Sequence, residues 1–192
     1  MFAEIVQKRI SGIVDILPAQ MAQLRSHFEL LLHWNRAVNL TAIADPQEII
    51  ERHFCESLFL GARLPSGNWS VVDIGSGAGF PGLPVAVLRP DCRIVLIESR
   101  QRKAVFLREV SRGLPNVQVL ATRLEAVRDC FDWGLSRAVS YADLGTHLKR
   151  IAAHAGLLTG MEEPPQSLGF QWEQAIPMPW GERRVLRIGH RM

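Results

Sequence analysis

The chain has 192 residues, 47% of them apolar, and a formal net charge of +3 at pH 7. These values predict a globular protein with a substantial core, and the mildly basic balance permits a nucleic-acid partner without requiring one. No apolar stretch is long enough to span a bilayer, and the first residues lack the apolar core of a signal peptide. Because Cys55, Cys92 and Cys130 show no metal-type spacing, we expect reduced thiols in a cytoplasmic protein without membrane contact.

Two helices are predicted in the first third of the chain. Over residues 18–38, apolar residues recur at spacings of three and four, which marks one face of an amphipathic helix. Asp45-Pro46 then reads as an N-cap followed by a proline at the first helical position, so a second helix is expected to run to about Leu60. A turn-rich segment follows, and we predict a helical lobe over residues 1–64 and a second domain over residues 65–192.

Strands and helices alternate in the rest of the chain, which is typical of an α/β protein. Short runs of β-branched and other apolar residues predict buried strands, and the segments between them repeat apolar residues at helical spacing. The predicted strands are residues 71–74, 93–98, 117–120, 133–136 and 184–188, and the predicted helices are residues 100–112 and 143–156, the latter stopping at Gly156.

Four glycines follow the first of these strands within eight positions. They are Gly75, Gly77, Gly79 and Gly82, and an acidic residue, Asp73, stands just before them. Such a turn uses positive φ angles and lets a large ligand approach the backbone without meeting a Cβ atom. Because ligands bind at the carboxyl ends of parallel strands in α/β sheets, the turn predicts a nucleotide-like ligand at that edge.

Two kinds of cofactor are compatible with this turn. Residues 77–82 satisfy the dinucleotide pattern G-x-G-x-x-G, and Glu98 lies 21 residues after Gly77, where a ribose-binding carboxylate is expected. In a dinucleotide site, however, the first glycine follows the strand directly, and Gly75 already holds that place. The pattern Asp73-x-Gly75-x-Gly77-x-Gly79 instead resembles motif I of S-adenosylmethionine-dependent methyltransferases.

Further motifs on both sides of the turn make the resemblance specific. In chain order they are Trp34-Asn35, Asn39-Leu40-Thr41, Arg52-His53, Ser57-Leu58, residues 73–82, Arg102-Lys103, Phe106-Leu107 and Ser136-Arg137-Ala138. Together they resemble the glucose-inhibited division protein B family, bacterial methyltransferases that modify guanine N7 in 16S ribosomal RNA. The similarity runs from about residue 32 to residue 188.

The resemblance implies a Rossmann-like methyltransferase fold, with a mostly parallel sheet, helices on both faces and a small helical lobe before it. It implies S-adenosylmethionine as the cofactor of a monomeric enzyme whose partner is 16S ribosomal RNA or the 30S subunit. Glu98 is expected to hold the ribose, and Leu124 and Glu125 to flank the adenine. The full set of expected cofactor-binding residues is Asp73, Gly75, Gly77, Gly79, Phe80, Glu98, Leu124, Glu125 and Arg137.

The resemblance also places Arg137 at the border of the methyl-transfer pocket, as a positioning residue. Guanine N7 carries a lone pair and no proton, so methyl transfer to it needs alignment rather than a general base. The sequence has no H-E-x-x-H or G-x-S-x-G motif and no metal-ligand cluster, and we assign no general base and no metal. The candidate RNA contacts are Asn35, Asn39, Arg52, His53, Arg100, Arg102, Lys103 and Arg123, although a lone histidine such as His53 is more often a packing residue.

Several departures from the family pattern leave details of RNA binding open. The family usually has aspartate where Glu56 stands and lysine-glycine where this chain has Thr159-Gly160, and Glu162-Glu163 adds negative charge where an RNA-facing edge is expected. Two other functions stay open on the residues alone. One is a nicotinamide- or flavin-dependent oxidoreductase, suggested by the literal G-x-G-x-x-G, and the other is a non-catalytic S-adenosylmethionine-binding regulator.

Overall fold

The computed structural model describes residues 1–181 and 183–192, and one mixed sheet runs through them. Its strands are β1 (Ser70–Ile74), β2 (Arg93–Ile97), β3 (Val117–Leu120), β4 (Phe131–Arg137), β5 (Ala152–Thr159), β6 (Phe170–Trp172), β7 (Ile176–Pro177) and β8 (Val185–Arg191). The strand order is β3-β2-β1-β4-β5-β8-β6, with β7 also paired to β8.

The first five strands are parallel, whereas β8 pairs antiparallel with β5, β6 and β7. The carboxyl ends of β1 to β5 therefore lie along one edge of the sheet, which we call the carboxyl edge. Crossover helices connect β1 to β2, β2 to β3 and β4 to β5, whereas a loop with one 3₁₀ turn (Leu124–Ala126) connects β3 to β4. This is the expected Rossmann-like arrangement, and the fold prediction is confirmed.

Helices cover both faces of the sheet. They are α1 (Phe2–Ile10), α2 (Pro18–Val38), α3 (Pro46–Ile49), a π-helical segment (Ile50–Cys55), α4 (Glu56–Gly61), α5 (Gly82–Leu88), α6 (Gln101–Val110) and α7 (Tyr141–Ile151). Side chains that alternate along β1 enter different cores: Val71 packs with the N-terminal helices, α5 and α6, and Val72 packs with α7. Both faces are thus buried, which explains why the strands are continuous apolar runs.

The two N-terminal helices are where the sequence predicted them. The α2 bounds match residues 18–38, and the Asp45 side chain accepts a hydrogen bond from the Glu48 N–H at 2.8 Å, as expected of an N-cap. The helical run that begins at Pro46 continues to Gly61, but a π-helical segment interrupts it. Helix α1 was not predicted. It buries Phe2, Val6 and Ile10 against the same core.

The predicted helix over residues 143–156 is wrong at its carboxyl end. Helix α7 begins after the N-cap Ser140 and ends at Ile151, and the residues that follow form β5. Gly156 lies inside that strand, where it pairs with Leu135 of β4 and Ile188 of β8. Pairing on both sides makes β5 a central strand, and this long-range pairing overrides the helical spacing of the local sequence.

Helices of the predicted lobe and strands of the predicted domain share one hydrophobic core, and the boundary between residues 64 and 65 stays a prediction. Cys55 and Cys92 are buried and Cys130 is exposed, and all three are free thiols. Among the described residues, no helix combines the length and the apolar character that crossing a membrane requires.

Candidate functional site

The glycine turn joins β1 to α5 at the carboxyl edge. Ser76 fixes its course: its N–H donates to the Ile97 carbonyl at 3.0 Å, and its carbonyl accepts from the N–H groups of Gly79 and Phe80 at 2.6 and 3.1 Å. These bonds tie the turn to the end of β2 and bring the chain back toward α5. The turn is therefore held by its own backbone.

Three glycines of the turn have positive φ angles, and at two of these, Gly75 and Gly79, a Cβ atom would also meet a neighbouring side chain. Gly75 and Gly79 have φ angles of +69° and +92°, which L side chains rarely adopt. A Cβ atom on Gly75 would lie 2.7 Å from Cγ2 of Val139, and one on Gly79 would overlap the Leu83 side chain. The backbone at Gly75 thus forms a close wall opposite Val139, and Gly75 itself is exposed.

Two buried carboxylates fix the ends of the turn. The Asp73 Oδ2 atom accepts from the Gly82 N–H at 3.0 Å, and Glu98 accepts from the Gly77 N–H at 3.0 Å and the Arg100 N–H at 2.7 Å, one on each oxygen. Burial raises the pKa of Asp73 to about 7, and its Oδ1 atom has no partner among the described residues. Each Glu98 oxygen keeps a further lone pair, which can accept a hydroxyl hydrogen bond.

A cavity of about 210 Å³, cavity A, opens beside the turn where β1, β2 and β3 end. It brings together five of the sequence-predicted residues: Gly75, Glu98, Arg123, Leu124 and Glu125. A close backbone approach, a carboxylate acceptor and an apolar side chain are the groups that a ribose and a planar base require. Sequence reasoning missed further residues that line it, including Ile97, Ser99, Thr122, Val139 and Asp143.

A second cavity, cavity B, lies beyond Val139 at the ends of β4 and β5 and has a volume of about 560 Å³. Residues 138–142 and 158–162 line it, together with Arg184 just before β8. Val139 lines both cavities, so they are neighbours along the carboxyl edge. A ligand in cavity A and a second reactant in cavity B would meet beside this residue.

An ion cluster connects cavity B to the N-terminal helices. Glu56, only 1% exposed, accepts from Arg184 Nε at 3.2 Å and Nη2 at 2.7 Å. Arg137 Nε lies 3.7 Å from the same carboxylate, which is too far for a hydrogen bond, and it has no other partner among the described residues. Burial lowers the pKa of Arg137 to about 10, against the opposing effect of Glu56. The buried Glu56 carboxylate is therefore the shared counter-charge of two guanidinium groups.

Phe80 lies between two histidine rings. Its centroid is 4.9 Å from that of His27 and 4.7 Å from that of His53, and both pairs are stacked. His27 Nε2 donates to the Ala78 carbonyl at 2.9 Å, and His53 Nε2 lies 2.8 Å from Thr41 Oγ1. Burial lowers the pKa of His27 to about 4 and of His53 to about 2, so both rings are neutral at pH 7. The stack fastens the glycine turn to α2 and the π-helical segment.

The other RNA-contact candidates lie around these groups. Asn35 Oδ1 accepts from the Thr41 N–H at 2.9 Å, and Arg52 Nη1 donates to Glu48 at 2.6 Å. Asn39 is exposed at the carboxyl end of α2, with a φ of +53°. Arg100, Arg102 and Lys103 stand at the start of α6, the two arginines exposed and the lysine half-buried.

Sequence reasoning missed Arg184 and His27 as residues of the site. The Arg184 interaction with Glu56 joins positions 128 residues apart, and no local pattern announces it. His27, by contrast, follows Leu24 by three residues and precedes Leu31 by four, and all three are buried. That spacing is typical of one face of a helix, and it indicates that the His27 ring lies on the buried face of α2.

Comparison with solved structures identifies the fold. A S-adenosylmethionine-dependent methyltransferase from Aquifex aeolicus superposes with a TM-score of 0.62 at 17% identity, covering 80% of this chain and 97% of that one. The shared feature is the fold, which is therefore the Rossmann-like fold that is also found in S-adenosylmethionine-dependent methyltransferases.

Sequence comparison defines the family. The model of rRNA small subunit methyltransferase G matches residues 20–158. A ribosomal RNA small subunit methyltransferase G from Nitrosospira multiformis is 40% identical over 146 residues, which are 73% of this chain and 65% of that protein. One from Methylobacillus flagellatus is 38% identical over 174 residues, or 85% of this chain and 84% of that one. The chain belongs to the rRNA small subunit methyltransferase G family, and the resemblance drawn from its motifs is confirmed.

Proposed function

We propose that the protein transfers the methyl group of S-adenosylmethionine to N7 of a single guanine in the 16S ribosomal RNA of the small subunit. The observation that carries this proposal is the family match over residues 20–158, which includes the glycine turn, cavity A and β4. The names of the relatives specify small-subunit ribosomal RNA, and the motif resemblance adds the guanine and its N7 atom.

The cofactor site that we propose is cavity A. Glu98 supplies acceptors for the ribose hydroxyls, Gly75 supplies a close backbone wall, and Leu124 and Glu125 flank the adenine. Asp73, Gly77 and Gly79 shape the turn, since their backbone or carboxylate groups hold it. The cofactor contributes an electrophilic methyl group on a sulfonium. Phe80 and Arg137 stay proposed contacts, and both connect this site to the N-terminal helices.

The protonation states around the site support a target that needs no base. His27 and His53 are buried and neutral, and their Nε2 atoms are engaged by Ala78 and Thr41. Asp73 is completely buried, and one of its oxygens is bound to the Gly82 N–H. Guanine N7 presents a lone pair without a proton, so alignment of two reactants is the main requirement, and oriented reactants can contribute about 7–11 kcal/mol.

Labelled methyl transfer tests the proposal. Unmethylated 30S subunits are incubated with the protein and radiolabelled S-adenosylmethionine, and the 16S RNA is digested to nucleosides. We expect label in one N7-methylguanosine per 16S RNA. Subunits that already carry the modification, 50S subunits and free guanosine are the controls and should stay unlabelled. Label in a different nucleoside would overturn the N7 target, and label in protein or in a small molecule would overturn the RNA substrate.

The remaining features of the proposal are the partner, the oligomeric state and the location of the enzyme. The 30S subunit is proposed as its partner, a monomer as its working form and the cytoplasm as its location. The helices of residues 1–64 are proposed to form the rim of the substrate side, because they contribute Glu56 to the ion cluster and His53 to the aromatic stack.

A further inference from the structure

A cation, Arg184, stands beside Thr159 at the end of β5. Thr159 pairs with Val185 in the antiparallel β5–β8 ladder. Arg184 precedes Val185, and Thr159, Gly160 and Arg184 all line cavity B. The neighbouring strand therefore delivers a positive charge to the same cavity.

The Arg184 guanidinium is held in one orientation. Its Nε and Nη2 atoms donate to the two oxygens of Glu56, and its Nη1 atom forms no hydrogen bond among the described residues. Its side chain is 21% exposed, whereas that of Glu56 is 1% exposed. A guanidinium bound in this way by one edge keeps further N–H donors for a second ligand. Because Arg184 lines cavity B, these donors are available there.

The ion cluster that contains Arg184 carries a net positive charge of its own. Glu56 offsets only one of the two cations, Arg137 and Arg184, so the cluster keeps one net positive charge. The nearby Glu163 carboxylate is paired with Arg187 at 2.6 Å. Glu162, an exposed residue, also lines cavity B and adds one negative charge there, but of the two only Arg184 is held in place by a buried partner.

We propose that Arg184 binds a phosphodiester group of the substrate RNA at cavity B, and that Glu56 positions it for this contact. The inference rests on the proposed function, because it names a contact of the same RNA. Guanidinium donors match the oxygens of a phosphate, and arginine performs this contact as well as lysine does. An aspartate at position 56 would end one methylene short of this bidentate contact.

Salt dependence of RNA binding tests the phosphate contact. Each phosphate contact contributes about 0.7–0.9 to the slope of log Kd against log salt. We expect Arg184→Gln to lower the slope by about this amount and to raise the Kd for unmethylated 30S subunits about tenfold. Affinity for S-adenosylhomocysteine should equal that of the wild type, which also shows that the variant is folded. The matched control is Arg93→Gln, an exposed arginine at the amino end of β2, with an unchanged slope.

Two further variants separate charge from position. Thr159→Lys in the Arg184→Gln background returns a cation to cavity B, and it should restore the slope. Glu56→Asp keeps both arginines charged but loosens Arg184, so it should raise the Kd several-fold at an unchanged slope. A wild-type slope in Arg184→Gln overturns the phosphate contact. A slope that Thr159→Lys does not restore in the Arg184→Gln background overturns the shared position of Thr159 and Arg184. A wild-type Kd in Glu56→Asp overturns the positioning role of Glu56.

The outcome for this contact is distinguishable from that for the proposed function. If the wild-type protein binds 30S subunits with a slope that depends on Arg184 but transfers no methyl group, the proposed function fails and the contact stands. If it methylates 16S RNA while Arg184→Gln has the wild-type slope, the contact fails and the function stands. If it neither binds nor methylates the subunit, both are overturned.

Discussion

Cavities A and B lie next to each other but are constructed in opposite ways. Cavity A is formed by the residues that follow β1, β2 and β3, together with Val139 and Asp143, and its Glu98 carboxylate is held by two backbone N–H groups. Cavity B is bordered by a buried ion cluster that joins a helix near residue 56, the end of β4 and the start of β8. The difference teaches that the proposed cofactor site depends on local backbone geometry, whereas the proposed substrate site depends on charges that the whole fold brings together.

Removing the shared carboxylate should produce the largest loss of stability. Glu56→Gln leaves Arg137 and Arg184 largely buried without a counter-charge, and breaking a buried ion pair in this way costs about 3–5 kcal/mol. Urea unfolding measures the change. The matched control is Glu29→Gln, an exposed glutamate 3.9 Å from Arg25, for which we expect about 0.5 kcal/mol or less. Equal midpoints for the two variants would show that the ion cluster does not hold cavity B together.

Removing the charge of the Glu98 carboxylate in cavity A should instead weaken the binding of the cofactor. Glu98→Gln loses charge-assisted acceptance of the Gly77 and Arg100 N–H groups and of the ribose, an effect of about 1.5–3 kcal/mol. Calorimetry should show S-adenosylhomocysteine binding at least about tenfold weaker. Because Glu98 also holds the turn, we expect a smaller but measurable fall in the free energy of unfolding. Unchanged affinity in this variant would remove Glu98 from the cofactor site.

The buried histidines predict how stability depends on pH. Their pKa values are lowered from 6.5 in the folded protein, so their contribution is complete above pH 6.5 and is lost as the pH falls toward 4. Asp73 acts in the opposite direction, because its raised pKa means that the folded form retains a proton which the unfolded chain releases. These three groups together contribute a slope of about 1.4 kcal/mol per pH unit in this window, and His154, whose pKa burial also lowers, adds to it in the same direction.

Urea midpoints at pH 7.5, 6.0 and 5.0 test this slope. His53→Gln should remove one of the two histidine contributions and flatten the curve, whereas His33→Gln, an exposed histidine on α2, should leave it as in the wild type. The same slope in the wild type and in His53→Gln would mean that His53 takes up its proton in the folded state.

The smallest effect is expected for the rate. If methyl transfer to N7 needs no base, the single-turnover rate on saturating 30S subunits should vary little between about pH 6.5 and 8.5, the range in which an ordinary histidine base would titrate. A steep fall toward low pH that disappears in His53→Gln would contradict the base-free reaction and would give the neutral ring a chemical role.

The same contrast explains what the sequence could predict. Strand β1, the glycine turn and the position of Glu98 were predictable because each follows from a local sequence pattern. The π-helical segment, α1 and β5 were not predicted. For α1 a signal existed, since Phe2, Val6 and Ile10 repeat at a spacing of four. For β5 no such signal existed in the sequence, because residues 152–156 continue a helical spacing and only pairing with β4 and β8 makes them a strand.

The ion cluster is the part of the candidate site that the sequence could not predict. The family pattern placed Arg137 at the pocket and marked Glu56 as unusual, but nothing in the sequence connects either residue with Arg184. Their meeting requires β8 to lie antiparallel beside β5 and α4 to pack on that part of the sheet. Charges that compensate each other over such separations are a property of the topology.

Titration calorimetry with S-adenosylhomocysteine, run on Gly75→Ala, Gly12→Ala and Arg184→Gln, tests the separation of the two cavities most directly. Gly75 and Gly12 have φ angles of +69° and +74°, so alanine strains both equally, by about 1–2 kcal/mol. Only the Gly75 position lines cavity A and meets Val139. The account predicts that Gly75→Ala binds more than about tenfold more weakly, and that Gly12→Ala and Arg184→Gln bind as the wild type does. Wild-type affinity in Gly75→Ala, or an equal loss in Arg184→Gln, would contradict it.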